Sequence, residues 1–345
     1  MDKISMIGLD TAKLVFQLHG VDERGDCKLV RRLKRREVLP FFKKLPPCTV
    51  VMEACGGSHY WGREIMALGH GVKLAPARFV KRFNDSRRKN DARDAKAAAF
   101  AGRAGDLRPV PVKSEAQQAE LLCVKARGLL VRQRTQAGNS LRSHLAEFGL
   151  VARTGDKGLE DLVAKLESGG AGLPKAALPP FAELVKHWRS LGEAIGRLTA
   201  DLMAKAKANP AVKRLMEIPG VGPVTAVVAT LLAEDPGRFA SGRSFAAWLG
   251  LVPNEHSSAS KRRLGAISKE GNEDLRSLLV LGAASILIRA RRHPASADPW
   301  IAAILRRRPF KVAATALAAR NARVIWALLK RGEAYRHRCD AAIAA

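Results

Sequence analysis

Cysteine is scarce and scattered in this sequence. The five cysteines of the 345-residue chain (Cys27, Cys48, Cys55, Cys123 and Cys339) form no CxxC pair and make an odd count. That argues against a disulfide framework or a zinc site and for reduced thiols in a cytoplasm; most are expected in cores. Acidic residues are also in deficit, with 32 Asp and Glu against 60 Lys and Arg. No apolar run approaches the roughly 18 to 20 residues that span a bilayer, so no membrane partner is expected. No signal peptide is expected either, because Asp2 and Lys3 lead directly into a short strand-like run. Long internal repeats and low-complexity tracts are missing as well.

What is present is apolar content and positive charge. Hydrophobic residues make up 47% of the chain, enough for real cores, and the length suits two or three domains. The formal net charge is +28. Such an excess opposes compaction unless a polyanion neutralises it. Nucleic acid is the natural partner, because each neutralised phosphate releases condensed counterions.

The first part reads as mixed α/β. Strands are predicted over residues 4–9, 14–18, 27–30, 48–52 and 72–74, with a helical turn over 38–44 and helices over 60–68 and 91–104. Three strands, a helix, a strand, a helix, a strand and a closing helix is the order of an RNase H-like fold. Past Pro109 and Pro111 the pattern becomes helical. Residues 115–148 and 181–206 read as two long helices around the Gly-rich stretch 168–172, a helical hairpin or coiled-coil arm. Asn209-Pro210 opens a mostly helical C-terminal region. The expected division is 1–110, 111–208 and 209–335, with 336–345 as a tail.

Four acids are placed informatively. Asp10 and Glu53 terminate the first and fourth strands, which are neighbours in such a sheet. Asp91 and Asp94 are spaced i, i+3 at a helix start, on one face. Each acid alone reads most simply as a turn residue, a helix cap or an ion-pair partner. Together they repel one another unless a divalent cation sits among them, and Mg²⁺ suits an all-carboxylate set. Between Arg78 and Arg108 stand ten Lys/Arg and four Asp; acids within a basic field fit a metal site that receives a polyanion. Arg87, Arg88 and Lys89 are its candidate phosphate contacts.

A second polar segment runs from Gly250 to Asn272. Ser257 and Ser258 lie there near Lys261, Arg262, Arg263 and Lys269, with His256 as a conceivable base. From the residues alone, a Ser-rich basic loop reads better as a phosphate-contact loop than as a nucleophile. Ile218-Pro219-Gly220-Val221-Gly222-Pro223 resembles the turn of a helix-hairpin-helix. Gly220 and Gly222 would let backbone N–H groups approach a phosphate, or would simply make a tight helix connection.

These motifs together resemble a known family. Gly8-Leu9-Asp10 with Lys13, Met52-Glu53-Ala54 and Lys89–Ala95 look like the DEDD motifs of insertion-sequence-110-type transposases. Ile218–Pro223, Gly250–Pro253 and Ile267–Asn272 with Leu275-Arg276 look like that family's C-terminal domain, and Glu255-His256-Ser257-Ser258 is closest to its 1111 subgroup. The resemblance runs from about residue 4 to about 335. It implies a RuvC-like domain, a coiled-coil region and a serine-bearing domain. It also implies a DEDD set of Asp10, Glu53, Asp91 and Asp94 on Mg²⁺. The nucleophile position falls on Ser258, with Ser257 adjacent, and becomes joined to DNA as a phosphoserine. Donor and target DNA, a bridge noncoding RNA and a homo-oligomer are the implied partners, in a cytoplasm with nucleoid association. The chain departs from the family in one place, carrying Ala259-Ser260 where two glycines are usual. The alternatives are a structure-selective endonuclease of Holliday-junction type, using only the carboxylates, and a non-catalytic RNA- or DNA-binding protein.

Overall fold

The computed structural model describes residues 4–84, 90–169, 172–258 and 263–336. It divides into two compact units, Met1–Gln118 and Ala119–Ala345.

The first unit is built on five strands: β1 (Met6–Asp10), β2 (Val15–Val21), β3 (Cys27–Lys34), β4 (Thr49–Glu53) and β5 (Gly71–Ala75). Its helices are α1 (Val38–Lys43), α2 (Ser58–Ala67), α3 (Ala77–Lys81) and α4 (Asp91–Arg103). The sheet order is β3-β2-β1-β4-β5. β2 is antiparallel to β1 and β3, whereas β4 is parallel to β1 and β5. Strand alternation sorts the side chains between two layers. Leu9, Phe16, Leu18 and Leu33 pack with Val38, Phe42, Trp61 and Ile65 from α1 and α2. Val51 and Ala75 point the other way, into a core shared with Val80 of α3 and Ala97, Ala98 and Ala101 of α4.

The α4 layer sits unusually close. A Cβ built on Gly8 would lie 2.0 Å from the Ala95 carbonyl oxygen and 2.5 Å from the Ala99 nitrogen. One built on Gly102 would lie 2.3 Å from Cγ2 of Val51. The alanine and glycine content of α4 therefore has a packing reason: only small residues let this helix rest on β1 and β4. The mixed α/β reading of this region holds. Strand ends shift by up to three residues, apart from β3, which runs four residues further than predicted. The short α3 was not anticipated.

The second unit carries the helical part. α5 (Glu115–Ala146) has its first four residues in the first unit. It is followed by α6 (Asp156–Glu167), α7 (Leu178–Ala208), α8 (Pro210–Met216), α9 (Pro223–Leu232) and α10 (Gly242–Trp248). A small hairpin, β6 (Pro253–Glu255) and β7 (Leu264–Ile267), precedes α11 (Glu273–Arg292), α12 (Pro299–Arg307) and α13 (Phe310–Arg331). α5 and α7 run antiparallel. Glu120 pairs with Lys205 at 3.5 Å, Arg127 donates to Thr199 Oγ1 at 2.8 Å, and Arg134 lies 4.5 Å from the Trp188 ring. The expected pair of long helices is present, but it is not bare. α6 inserts Leu159, Leu162, Val163 and Leu166 between Leu141 and Leu145 of α5 and Phe181, Val185 and Trp188 of α7. Gly138 makes room for it, since a Cβ there would meet Leu159 at 3.0 Å.

α13 corrects one expectation. It is long and apolar enough to cross a membrane by length and composition. Its Leu317, Ala318, Ala322 and Ile325 are buried, however, in the core formed with α8 to α12, so the apolarity has a packing reason. The cysteines need correcting as well. Of the four described, Cys48 is buried, Cys123 half-buried, and Cys27 and Cys55 exposed; Cys339 lies outside the described residues. Burial pushes the Cys48 thiol up to about 11, and the reactive form is the thiolate. Iodoacetamide at pH 8 should therefore label Cys27 and Cys55 in the native protein and Cys48 only after denaturation. Peptide mass spectrometry reads this directly, and native labelling of Cys48 at the rate of Cys55 would contradict the packing.

Candidate active site

Three of the four acids converge. Asp10 closes β1, and α4 begins at Asp91, its first turn carrying Asp91 and Asp94. One carboxylate oxygen from each of Asp10, Asp91 and Asp94 lies within 4.8 Å of the others. The capping reading of Asp91 and Asp94 fails here, because Asn90 is the N-cap and accepts from the Ala92 nitrogen at 3.0 Å. The glycine–alanine contact between β1 and α4 brings the helix start to the strand end. Asn84 Nδ2 donates to Asp94 Oδ1 at 2.6 Å and orients that carboxylate. Sequence reasoning did not single out Asn84, and nothing in the local pattern marks it.

Glu53 closes β4, one strand away. Parallel pairing of Leu9 with Met52 sets it beside Asp10. Val51, two residues earlier, packs in the α4 layer, so Glu53 lies on the same face. Its carboxylate is not in the 4.8 Å group. Three oxygen donors this close, with a fourth on the neighbouring strand, fit a hard divalent cation: carboxylates are its usual ligands, and their mutual repulsion is relieved by its charge. Thr11 and Cys55 follow the two strand ends and contact each other, Oγ1 to Sγ at 3.2 Å. Arg87, Arg88 and Lys89 lie outside the described residues.

The serine segment is a β-hairpin rather than a loop. The strands are only three and four residues long and nearly all exposed, which is why alternation did not reveal them. The Ser257 hydroxyl donates to Glu255 Oε1 at 2.7 Å and accepts from the Arg263 backbone nitrogen at 3.1 Å. Positions 255 and 257 share one side of an extended chain, which brings the carboxylate to the hydroxyl. Ser258 is exposed. Glu255 was missed as a partner for Ser257. The conceivable base, His256, packs its ring on Gly265. Lys269 is exposed and has a positive φ of 55°, held by its N–H donating to the Gly250 carbonyl at 3.2 Å. Lys261, Arg262 and the Ala259-Ser260 departure lie outside the described residues.

The Ile218–Pro223 turn joins α8 to α9. Gly220 has φ +86°, and a Cβ built on Gly282 of α11 would lie 1.8 Å from the Gly220 carbonyl oxygen. The Gly220 conformation and this backbone contact favour the tight-connection reading at that position. Gly222 faces open space. Asn321, buried on α13, donates to the Pro219 carbonyl at 2.9 Å and fixes the turn from below.

Comparison with known proteins agrees with both parts. Residues 7–149 match the DEDD transposase family model of the IS110 group, and residues 212–299 match the model described as transposase IS116/IS110/IS902 family. A Pseudomonas aeruginosa protein named "Probable family 20 transposase" is 42% identical, over 96% of this chain and 99% of that protein. The transposase for insertion sequence element IS1111A of Coxiella burnetii is 39% identical, over 97% and 92%. That for IS1328 of Yersinia enterocolitica is 33% identical, over 97% and 99%. Matches of this extent, on a chain whose strand-end and helix-start acids converge, place it: the chain belongs to the IS116/IS110/IS902 family of transposases and is a DNA transposase.

Proposed function

We propose that this transposase excises and inserts a mobile element by cutting and rejoining DNA with two chemical centres. In this reading the first unit is a RuvC-like, RNase H-like nuclease domain whose Asp10, Asp91 and Asp94, completed by Glu53, hold Mg²⁺. The observation that carries it is the convergence of three carboxylates within 4.8 Å at a strand end and a helix start. A bound divalent ion would neutralise charge developing on the phosphoryl oxygens. The residues themselves orient it: Asn84 fixes Asp94, and the rigid β1–α4 contact fixes Asp10 against Asp91.

The second centre is the serine pair on the hairpin. A serine Oγ attacks a DNA phosphorus, the Oγ–P bond forms, and the P–O bond to the leaving deoxyribose oxygen breaks. The hydroxyl proton passes to a base, for which Glu255 is in place at Ser257. The family motif assigns the nucleophile to Ser258, next to it. Rejoining is the same exchange run backwards, which conserves the phosphodiester energy. A structured RNA of the element guides the choice of DNA, and the protein acts as a homo-oligomer; the +28 charge suits two nucleic acids at once. Lys261, Arg262, Arg263 and Lys269 serve as phosphate contacts around the serines, and Arg87, Arg88 and Lys89 around the acids. Gly222, which faces open space, serves the same end in the helix-hairpin-helix-like turn, whose tight connection Gly220 makes.

The double variant Ser257→Ala/Ser258→Ala should lose the protein–DNA adduct seen on denaturing gels, while each single variant shows which serine carries it. Unchanged strand cleavage by the double variant would instead indicate a junction endonuclease using water.

A further inference from the structure

The face of the sheet that carries Asp10 continues beyond the carboxylates. Asp10 stands opposite Gln17 of β2, and Gln17 stands opposite Arg32 of β3. Directly paired residues point to the same side of a sheet, so all three lie on the α4 face. Lys34, two residues along β3, shares it. Arg31 and Arg35 point to the opposite layer, where their guanidinium groups lie 5.3 Å from the Phe41 ring and 4.9 Å from the Trp61 ring. Arg32 and Lys34 are exposed, and neither side chain forms an ion pair among the described residues, the Glu37 carboxylate accepting from the Lys34 backbone N–H instead. Lys96 of α4 is exposed nearby, over Phe100 and close to His19 on β2, whose pKa is lowered first by burial and further by the Lys96 charge. A shelf of unpaired cations thus begins two strand spacings, about 10 Å, from Asp10.

We propose that this shelf binds the phosphates of the DNA strand flanking the one cut at the carboxylates, with Arg32 and Lys34 as its principal contacts and Lys96 at its inner border. The assignment rests on the nuclease reading of Asp10, Asp91 and Asp94. The spacing supports it, since about 10 Å corresponds to roughly three nucleotides of helical rise along one strand. The charge layout supports it too. Acids that bind a cation sit at one end of a face whose open remainder is positive, so a polyanion laid across it meets metal at one position and arginine or lysine at the others. Contacts of this kind position the strand and carry no sequence preference.

The test uses the full chain in the Asp10→Asn background, so that binding is read without cutting. Affinity for a fluorescein-labelled 30-nucleotide DNA of arbitrary sequence, single-stranded and duplex, is measured against salt. Arg32→Gln/Lys34→Gln should reduce the slope of log K on log[salt] by about 1.4 for the single strand and about 1.8 for the duplex, as expected for two lost phosphate contacts. Lys43→Gln/Lys44→Gln, the same charge change on exposed residues at the end of α1, should reduce it by far less. Equal slopes for shelf variant and parent, or an equal reduction in the α1 control, would overturn the shelf. So would a loss confined to an RNA of the same sequence. Because no cutting is measured, a failure here is separable from a failure of the nuclease reading, which cleavage by the Asp10→Asn variant tests.

Discussion

The Asp10→Asn variant is expected to fold normally and to lose strand cleavage by about a thousandfold or more. A metal ion supplies several kcal/mol of transition-state stabilisation at a phosphoryl group, and each 1.36 kcal/mol is tenfold in rate. Asp10 shares a 4.8 Å cluster with Asp91 and Asp94, so its loss breaks the ligand set. The same change should not harm the fold. Asn keeps the side chain's volume at this half-buried strand end, so the melting temperature of the metal-free variant should lie close to the parent's. Added Mg²⁺ or Mn²⁺ should then stabilise the parent but not the variant, because only the parent binds the ion in its folded state. Two measurements decide the matter: cleavage of a labelled substrate and thermal melting with and without metal. Cleavage within tenfold of the parent would remove Asp10 from the machinery.

Gly8→Ala should have the largest effect on the fold for the smallest change in volume. One methyl group would be placed 2.0 Å from a backbone oxygen and 2.5 Å from a backbone nitrogen of α4. Backbone cannot rotate away as a side chain can, so the helix must lift from the sheet. Overpacking typically costs about 1–3 kcal/mol and at times more; contact with backbone puts this case at the upper end. The functional consequence is sharper than the stability loss. Lifting α4 carries Asp91 and Asp94 away from Asp10, and a misplacement of about 1 Å can cost a hundredfold in rate. Chemical denaturation and a metal titration should both register the change. An alanine variant with unchanged stability and unchanged metal affinity would contradict the close contact.

The acid cluster was largely legible because its members mark boundaries. An acid at the end of a strand, a second at the end of its neighbour and two at a helix start are visible in a linear sequence. The contact that makes them converge was not, since Gly8 in a strand and the alanines of α4 look unremarkable until their separation is known. α6 was legible in principle: Leu159, Leu162, Val163 and Leu166 have helical spacing. The 115–148 and 181–206 pattern, taken as a bare hairpin, passes over it because it sits between turn-like segments. β6 and β7 could not be read. They are three and four residues long and exposed but for the half-buried Ile267, so no hydrophobic period records them, and the Ser257–Glu255 contact was hidden with them.

That solvent exposure has a consequence for how such proteins age. From Pro253 to Leu264 every described residue is exposed, so substitutions there escape the penalty that folding imposes on buried positions. A genome can therefore accumulate copies whose hairpin has drifted while the rest of the chain still folds and still grips nucleic acid. On the serine mechanism proposed above, such copies would occupy element ends without cutting them. Decay of one copy would then act as a brake on its intact siblings, and changes such as Ala259-Ser260 are the kind to examine for it.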